Sequence, residues 1–111
     1  MVIMKQFEVW TVELNPTKGA EINKTRPCLI ISPDSINKML NTVIVAPLTH
    51  SIKHYPSRVS CTFKSQAGLI FLDQIGAVDK LRLKKKIGRF DVETSNNVST
   101  ILQVMFQYTG M

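Results

Sequence analysis

The chain has 111 residues, 44% of them hydrophobic and 20% charged, which fits one globular domain over residues 1–111 and leaves no room for a second core. Fourteen Lys and Arg against eight Asp and Glu give a net charge of +6, a balance that favours polyanionic partners. No apolar run approaches the ~18 residues of a membrane-spanning helix and Met1–Lys5 is too short for a signal peptide. Cys28 and Cys61 lack metal-ligand spacing and read as reduced thiols of a cytoplasmic protein.

In chain order, Glu8 to Leu14 alternates, with Trp10, Val12 and Leu14 on one face, and predicts a half-buried strand. Asn15-Pro16-Thr17-Lys18-Gly19 is turn chemistry and opens a polar loop running to Thr25. Cys28 to Ile31 is a short apolar run bounded by Pro27 and Pro33, and predicts a strand buried on both faces. Pro27 biases Arg26 towards an extended backbone, which sets its guanidinium at the mouth of that strand. Pro33-Asp34-Ser35 signals a helix start, and Ile36 to Leu40 fits one or two turns. Thr42 to Ala46 predicts a second apolar strand, ended by Pro47.

Leu48 to Ser57 reads as a loop carrying Thr49, His50, Ser51, Lys53, His54 and Tyr55. Arg58 to Phe63 alternates again, and Gly68 to Leu72 is a third apolar strand leading into Asp73-Gln74-Ile75. Lys84 to Phe90 predicts a further strand, weakened by Gly88. Asp91 suits an N-cap, and Val98, Ile101, Leu102, Met105 and Tyr108 keep helical spacing for a C-terminal helix with one face on the sheet. Many short strands with little βαβ alternation indicate a mainly β (α+β) domain: a small, strongly curved, mainly antiparallel sheet or barrel with a short helix and a C-terminal helix.

Charge is unevenly placed. No acidic residue lies between Asp34 and Asp73, while Lys80, Arg82, Lys84, Lys85, Lys86 and Arg89 crowd ten positions. Such a run either meets nucleic-acid phosphates or forms a solvated edge that blocks aggregation.

Two strands of one core each present a polar residue at an end, Arg26 and Thr49. Together with Trp10-x-Val12-x-Leu14-Asn15-Pro16, Gly19-x-Glu21, Thr25-Arg26-Pro27, Val45-Ala46-Pro47-Leu48-Thr49 and Leu72-Asp73-Gln74-Ile75 with Asp79, the pattern resembles the MazF/Kid/PemK toxin endoribonucleases. The resemblance covers the chain from about Glu8 to the last helix, with departures. Gln6-Phe7-Glu8 stands where a basic-Gly-acidic opening is usual, and Gly76 where an arginine is common.

The resemblance implies an SH3-like barrel, a homodimer, and the toxin role in a type II toxin–antitoxin system. It implies sequence-selective cleavage of single-stranded RNA without metal or cofactor, silenced by a cognate antitoxin expected to be acidic. Arg26 and Thr49 match the catalytic arginine and threonine, Glu21 a loop carboxylate near the site, and Asp73 an acidic residue treated as a possible general base. RNA contacts are expected from Lys18, Asn23 and Lys24 in the first loop, from His50, Ser51, Lys53, His54 and Tyr55 in the second, and from Gln74.

The chemistry is consistent with those residues. Metal-free RNA cleavage uses the 2′-hydroxyl as an internal nucleophile, so the enzyme must stabilise charge on phosphorus, take one proton and return one. Arg26 offers a planar fork to the non-bridging oxygens and Thr49 a hydroxyl donor. The base is open among Glu21, Asp73, His50 and His54. Each also has a bland reading: Glu21 pairing with Lys24 or Arg26, Asp73 bonding turn amides, the histidines as bystanders to catalysis that stack on bases beside Tyr55. Two other functions compete, a CcdB-like toxin that poisons gyrase without cutting RNA, and an RNA-binding barrel without catalysis.

Overall fold

A computed structural model describes residues 3–13, 25–50 and 54–110. Within them the chain forms β1 (Glu8–Glu13), β2 (Thr25–Ile30), α1 (Asp34–Met39), β3 (Thr42–Thr49), β4 (Arg58–Phe63), β5 (Gln66–Phe71), β6 (Gly76–Asp79), β7 (Leu83–Arg89) and α2 (Val92–Met105). Short 3-10 turns at Leu72–Gln74 and Lys80–Arg82 flank β6. Neighbouring strands run β4-β5-β3-β2-β1-β7, with β6 added beside β3, and every pairing is antiparallel.

The sheet curls because β3 serves two partners along one edge. Its first half, Thr42–Val45, pairs with β6, whereas Leu48 and Thr49 pair with β5. Pro47 falls in the gap between the two, where no neighbour needs its missing N–H, so the strand runs through the proline to Thr49 instead of ending there. The two outer strands, β4 and β7, then meet by side chains. Phe63 lies edge-on to Phe90 at 5.6 Å between ring centres, and its ring occupies the space a Cβ at Gly88 would need. The mainly β class, the strongly curved antiparallel sheet and both helices are as the sequence implies.

Alternation buries both faces of β1, β2 and β3. One face carries Val9, Leu29, Ile31, Ala46 and Leu48, joined by Val59, Cys61, Ile70, Leu72, Phe90 and, from α2, Val98. The other carries Trp10, Val12, Cys28, Ile30, Val43, Val45 and Leu83. Cys28–Ile31 is therefore buried on both sides, as its apolar run predicts.

Two buried polar networks pin the curl. Glu8 accepts from Trp10 Nε1 at 3.0 Å and from the Lys5 amide at 2.9 Å, and pairs with Lys86 Nζ at 2.8 Å. Ser32 Oγ donates to Asn37 Oδ1 at 2.5 Å and accepts from the Ile44 amide at 3.0 Å, while Asn37 Nδ2 donates to the Ser32 carbonyl at 2.9 Å. Each desolvated group keeps a partner, which is the condition for leaving it in a core.

Candidate active site

Arg26 is the second residue of β2 and pairs with Val12 of β1. On the other side of β2, Cys28 pairs with Pro47 of β3. The β2–β3 ladder ends at that pair, two residues short of both Arg26 and Thr49. Alternation puts Arg26, Cys28 and Pro47 on one face. That face opens into a cavity of about 370 Å³ lined by Val12, Arg26, Cys28, Val45, Pro47, Gln74, Gly76 and Val78.

The cavity is a charged and amide rim over an apolar floor. Arg26 is exposed, whereas Val12, Cys28 and Val45 are buried. A guanidinium over such a floor is less screened than one in open water, so it attracts an anion more strongly. Burial pushes the Cys28 thiol up to about 11, against the opposing pull of the Arg26 charge. The thiol is therefore protonated at neutral pH and no nucleophile. Thr49 is half-buried, pairs with Leu69 and lines not this cavity but a separate one of about 220 Å³ with Pro27, Leu48, His50 and Gly68.

Other residues singled out in the sequence fall elsewhere. Gln74 joins Arg26 in its cavity, but its neighbour Asp73 lines a separate depression with Tyr55, Ser57 and Arg58. Asp73 Oδ1 accepts from Arg58 Nε at 3.4 Å and Ser57 Oγ at 3.1 Å. Desolvation works to raise its pKa, but the hydrogen bonds from Arg58 and Ser57 and the Arg58 charge hold it below the ordinary carboxylate value. His50 and His54 line a further space, a cleft of about 890 Å³ between β4 and β7 that also holds Lys64, Arg89, Asp91 and Glu93. Lys18, Glu21, Asn23, Lys24, Ser51 and Lys53 lie outside the described residues.

The basic run of β7 is partly neutralised. Lys86 pairs with buried Glu8, and Lys84 Nζ lies 3.5 Å from Glu13 Oε2. Two of the three consecutive lysines thus tie β7 to β1, which favours the solvated-edge reading for them. Sequence reasoning also passed over Gly68, whose missing side chain leaves room for the Thr49 carbonyl. A glycine inside a strand was the available signal, since it often marks a close backbone approach.

Residues 5–106 match the family described as PemK-like, MazF-like toxin of type II toxin–antitoxin system. The chain is 34% identical over 109 residues to endoribonuclease EndoA of Bacillus subtilis (strain 168), covering 93% of this chain and 94% of that protein. In fold it is similar to a MazE–MazF crystal structure (Form-II) from Deinococcus radiodurans, with TM-score 0.81, 20% identity and coverage of 95% and 96% of the two chains. It is also similar to an endoribonuclease in complex with its cognate antitoxin from mycobacterial species, with TM-score 0.76, 20% identity and coverage of 95% and 98%. The chain belongs to the PemK-like, MazF-like toxins of type II toxin–antitoxin systems. No helix among its described residues is long and apolar enough to cross a membrane.

Proposed function

We propose that this toxin is a cytoplasmic endoribonuclease that cuts single-stranded RNA by internal attack of the 2′-oxygen. The observation that carries the reading is the Arg26 guanidinium at the rim of a cavity with an apolar floor, with Thr49 at the end of the strand that pairs with β2. The 34% identity to EndoA, an endoribonuclease by name, supports it.

In this mechanism the scissile phosphate sits on the Arg26 fork. Two N–H groups contact its non-bridging oxygens and stabilise the charge that grows on the five-coordinate phosphorus. Thr49 donates its hydroxyl proton as a hydrogen bond to the same phosphate. The 2′-oxygen loses its proton to a base and bonds to phosphorus. The 5′-oxygen leaves and takes up a proton. The products are a 2′,3′-cyclic phosphate and a 5′-hydroxyl, and no water or metal enters the balance. Of the two carboxylates, Glu21 is the better base, because Asp73 is occupied by Arg58 and Ser57 away from the Arg26 cavity. Lys18, Asn23, Lys24, Ser51 and Lys53 serve as loop contacts to RNA, with Gln74 at the rim.

The enzyme acts as a homodimer and is silenced by an acidic antitoxin that folds over the basic surface. The test is incubation of purified protein with a long RNA, with chemical mapping of the new ends. Cyclic phosphate ends formed in EDTA are the expected result. Activity that requires added magnesium, or that persists when the 2′-hydroxyl at the cut site is replaced by hydrogen, overturns the mechanism. Intact RNA throughout overturns the enzyme reading itself.

A further inference from the structure

Tyr55 leaves 52% of its surface to solvent, yet its position is fixed by backbone and side chains alike. The Arg58 amide donates to the Tyr55 carbonyl at 2.9 Å, closing a turn with Pro56 in second place, where its fixed φ belongs. The central carbon of the Arg58 guanidinium lies 4.4 Å from the centre of the Tyr55 ring and 3.8 Å from that of Phe71. The cation thus lies within cation–π reach of two aromatic rings. Asp73 holds its Nε, and Arg58 pairs with Phe71 across the β4–β5 ladder. An arginine whose side chain is 14% exposed has no open fork for a phosphate. We infer that Arg58 is a positioning residue, which holds Tyr55 as a stacking platform for an unpaired RNA base beside the cleaved phosphate.

The surroundings fit a base better than other occupants. Tyr55, Ser57 and Asp73 rim a depression of about 510 Å³ walled by Ile101, Val104 and Met105 of α2. Apolar walls suit the flat face of a base. The Asp73 carboxylate repels a phosphate or an acidic peptide, but accepts from an exocyclic amino group. The depression and the candidate site are separate cavities that adjoin at the Leu72–Gln74 turn, where Asp73 lines one and Gln74 the other. A ring fixed before RNA arrives loses little entropy when a base stacks on it.

This inference rests on the chain being an RNA-cleaving enzyme, and the test separates the two. Cut sites of the wild-type protein are mapped first, and short RNAs spanning one site are then made with an abasic nucleotide at each position in turn. Tyr55→Leu is expected to raise KM roughly tenfold, the scale of one stacked base, with the loss on KM rather than kcat, and Tyr55→Phe to restore most of it. One abasic position should harm wild type but add nothing to Tyr55→Leu. Arg58→Lys, checked for an intact fold by thermal melting, should match Tyr55→Leu, and the double variant should be no worse than either. A wild-type protein that leaves RNA intact removes the enzyme reading and the platform with it. Wild-type cutting with an unchanged KM in Tyr55→Leu overturns the platform alone, as do additive losses in the double variant. A Tyr55→Leu protein that cuts normally but escapes a cognate antitoxin assigns the surface to that protein and also overturns it.

Discussion

Gly68 of β5 lies so close to Thr49 of β3 that a Cβ at position 68 would stand 2.6 Å from the Thr49 carbonyl oxygen. The obstacle is backbone, so it has no rotamer by which to move aside. Gly68→Ala is expected to lose roughly 1–3 kcal/mol of stability through overpacking. Cleavage should fall by about 10²-fold, because the Thr49 backbone must shift and carry its hydroxyl with it. Gly76→Ala is the control for fold: its Cβ would meet nothing within 4 Å, and its melting temperature should match wild type. Urea unfolding and single-turnover cleavage check both statements.

Arg26 is expected to contribute to chemistry rather than packing. Its side chain is exposed, so Arg26→Ala should change stability by no more than about 0.5 kcal/mol. Loss of the fork should cost about 10²–10³ in cleavage rate, the range seen when a charge-stabilising donor is removed. Arg26→Lys should be nearly as poor, since a point charge cannot span two oxygens. A lysine variant cutting near the wild-type rate would remove the fork from the mechanism.

Glu8 makes the fold acid-sensitive. Desolvation works to raise its pKa, but hydrogen bonds from Lys86, the Lys5 amide and Trp10, with the Lys86 charge, bring the net value below the ordinary 4.5. The unfolded chain therefore binds this proton first as pH falls. The stabilisation is complete above the unfolded value and is lost as pH drops through the lower folded one. Lys86→Gln removes two of the lowering causes and should shrink that acid-dependent loss. At neutral pH it should cost roughly 1–2 kcal/mol, by leaving a buried carboxylate without its cation. Denaturant melts of both proteins between neutral and acid pH measure the difference.

Phe7 holds a backbone φ of 69°, a left-handed conformation that costs a non-glycine residue roughly 1–2 kcal/mol. Its ring is half-buried against the core that contains Val9 and Phe90. Ring packing thus offsets a strain that glycine would avoid. The expected stability order is wild type, then Phe7→Gly, then Phe7→Ala, with glycine above alanine by roughly 1 kcal/mol. Equilibrium unfolding decides it, and alanine ranking above glycine would refute the account.

Much of this architecture was readable from side-chain pattern. The alternation of Glu8–Glu13 and Arg58–Phe63, the apolar run at Cys28–Ile31 and the spacing of Val98, Ile101, Leu102 and Met105 each give an element close to where it lies. What escaped lacks a local signature. β6 is four residues with no buried side chain, so its strand character comes from pairing with β3. The β4–β5 hairpin turns on Lys64 and Ser65, both at positive φ (51° and 66°), with neither the glycine nor the asparagine that advertises such a turn. Pro47 reads as a terminator because nothing in the sequence shows that its nitrogen, which carries no hydrogen, faces a gap. At the site, Arg26 and Thr49 were legible as strand-end residues. The separation of Asp73 from Gln74 into two cavities was not, because neighbours in a 3-10 turn diverge by an angle that only the fold sets.

Val12, in the floor of the Arg26 cavity, pairs with Arg26 on one side and Leu83 on the other. Leu83 lies more than half the chain beyond Val12, a non-local arrangement that slows folding. While the ribosome is still making the polypeptide, β1 has no β7 beside it and the floor lacks its outer brace. Chains stalled before Leu83 should therefore cut no RNA when tested as ribosome complexes. On that expectation a toxin built this way gains its activity only once β7 has been added, late in its own synthesis.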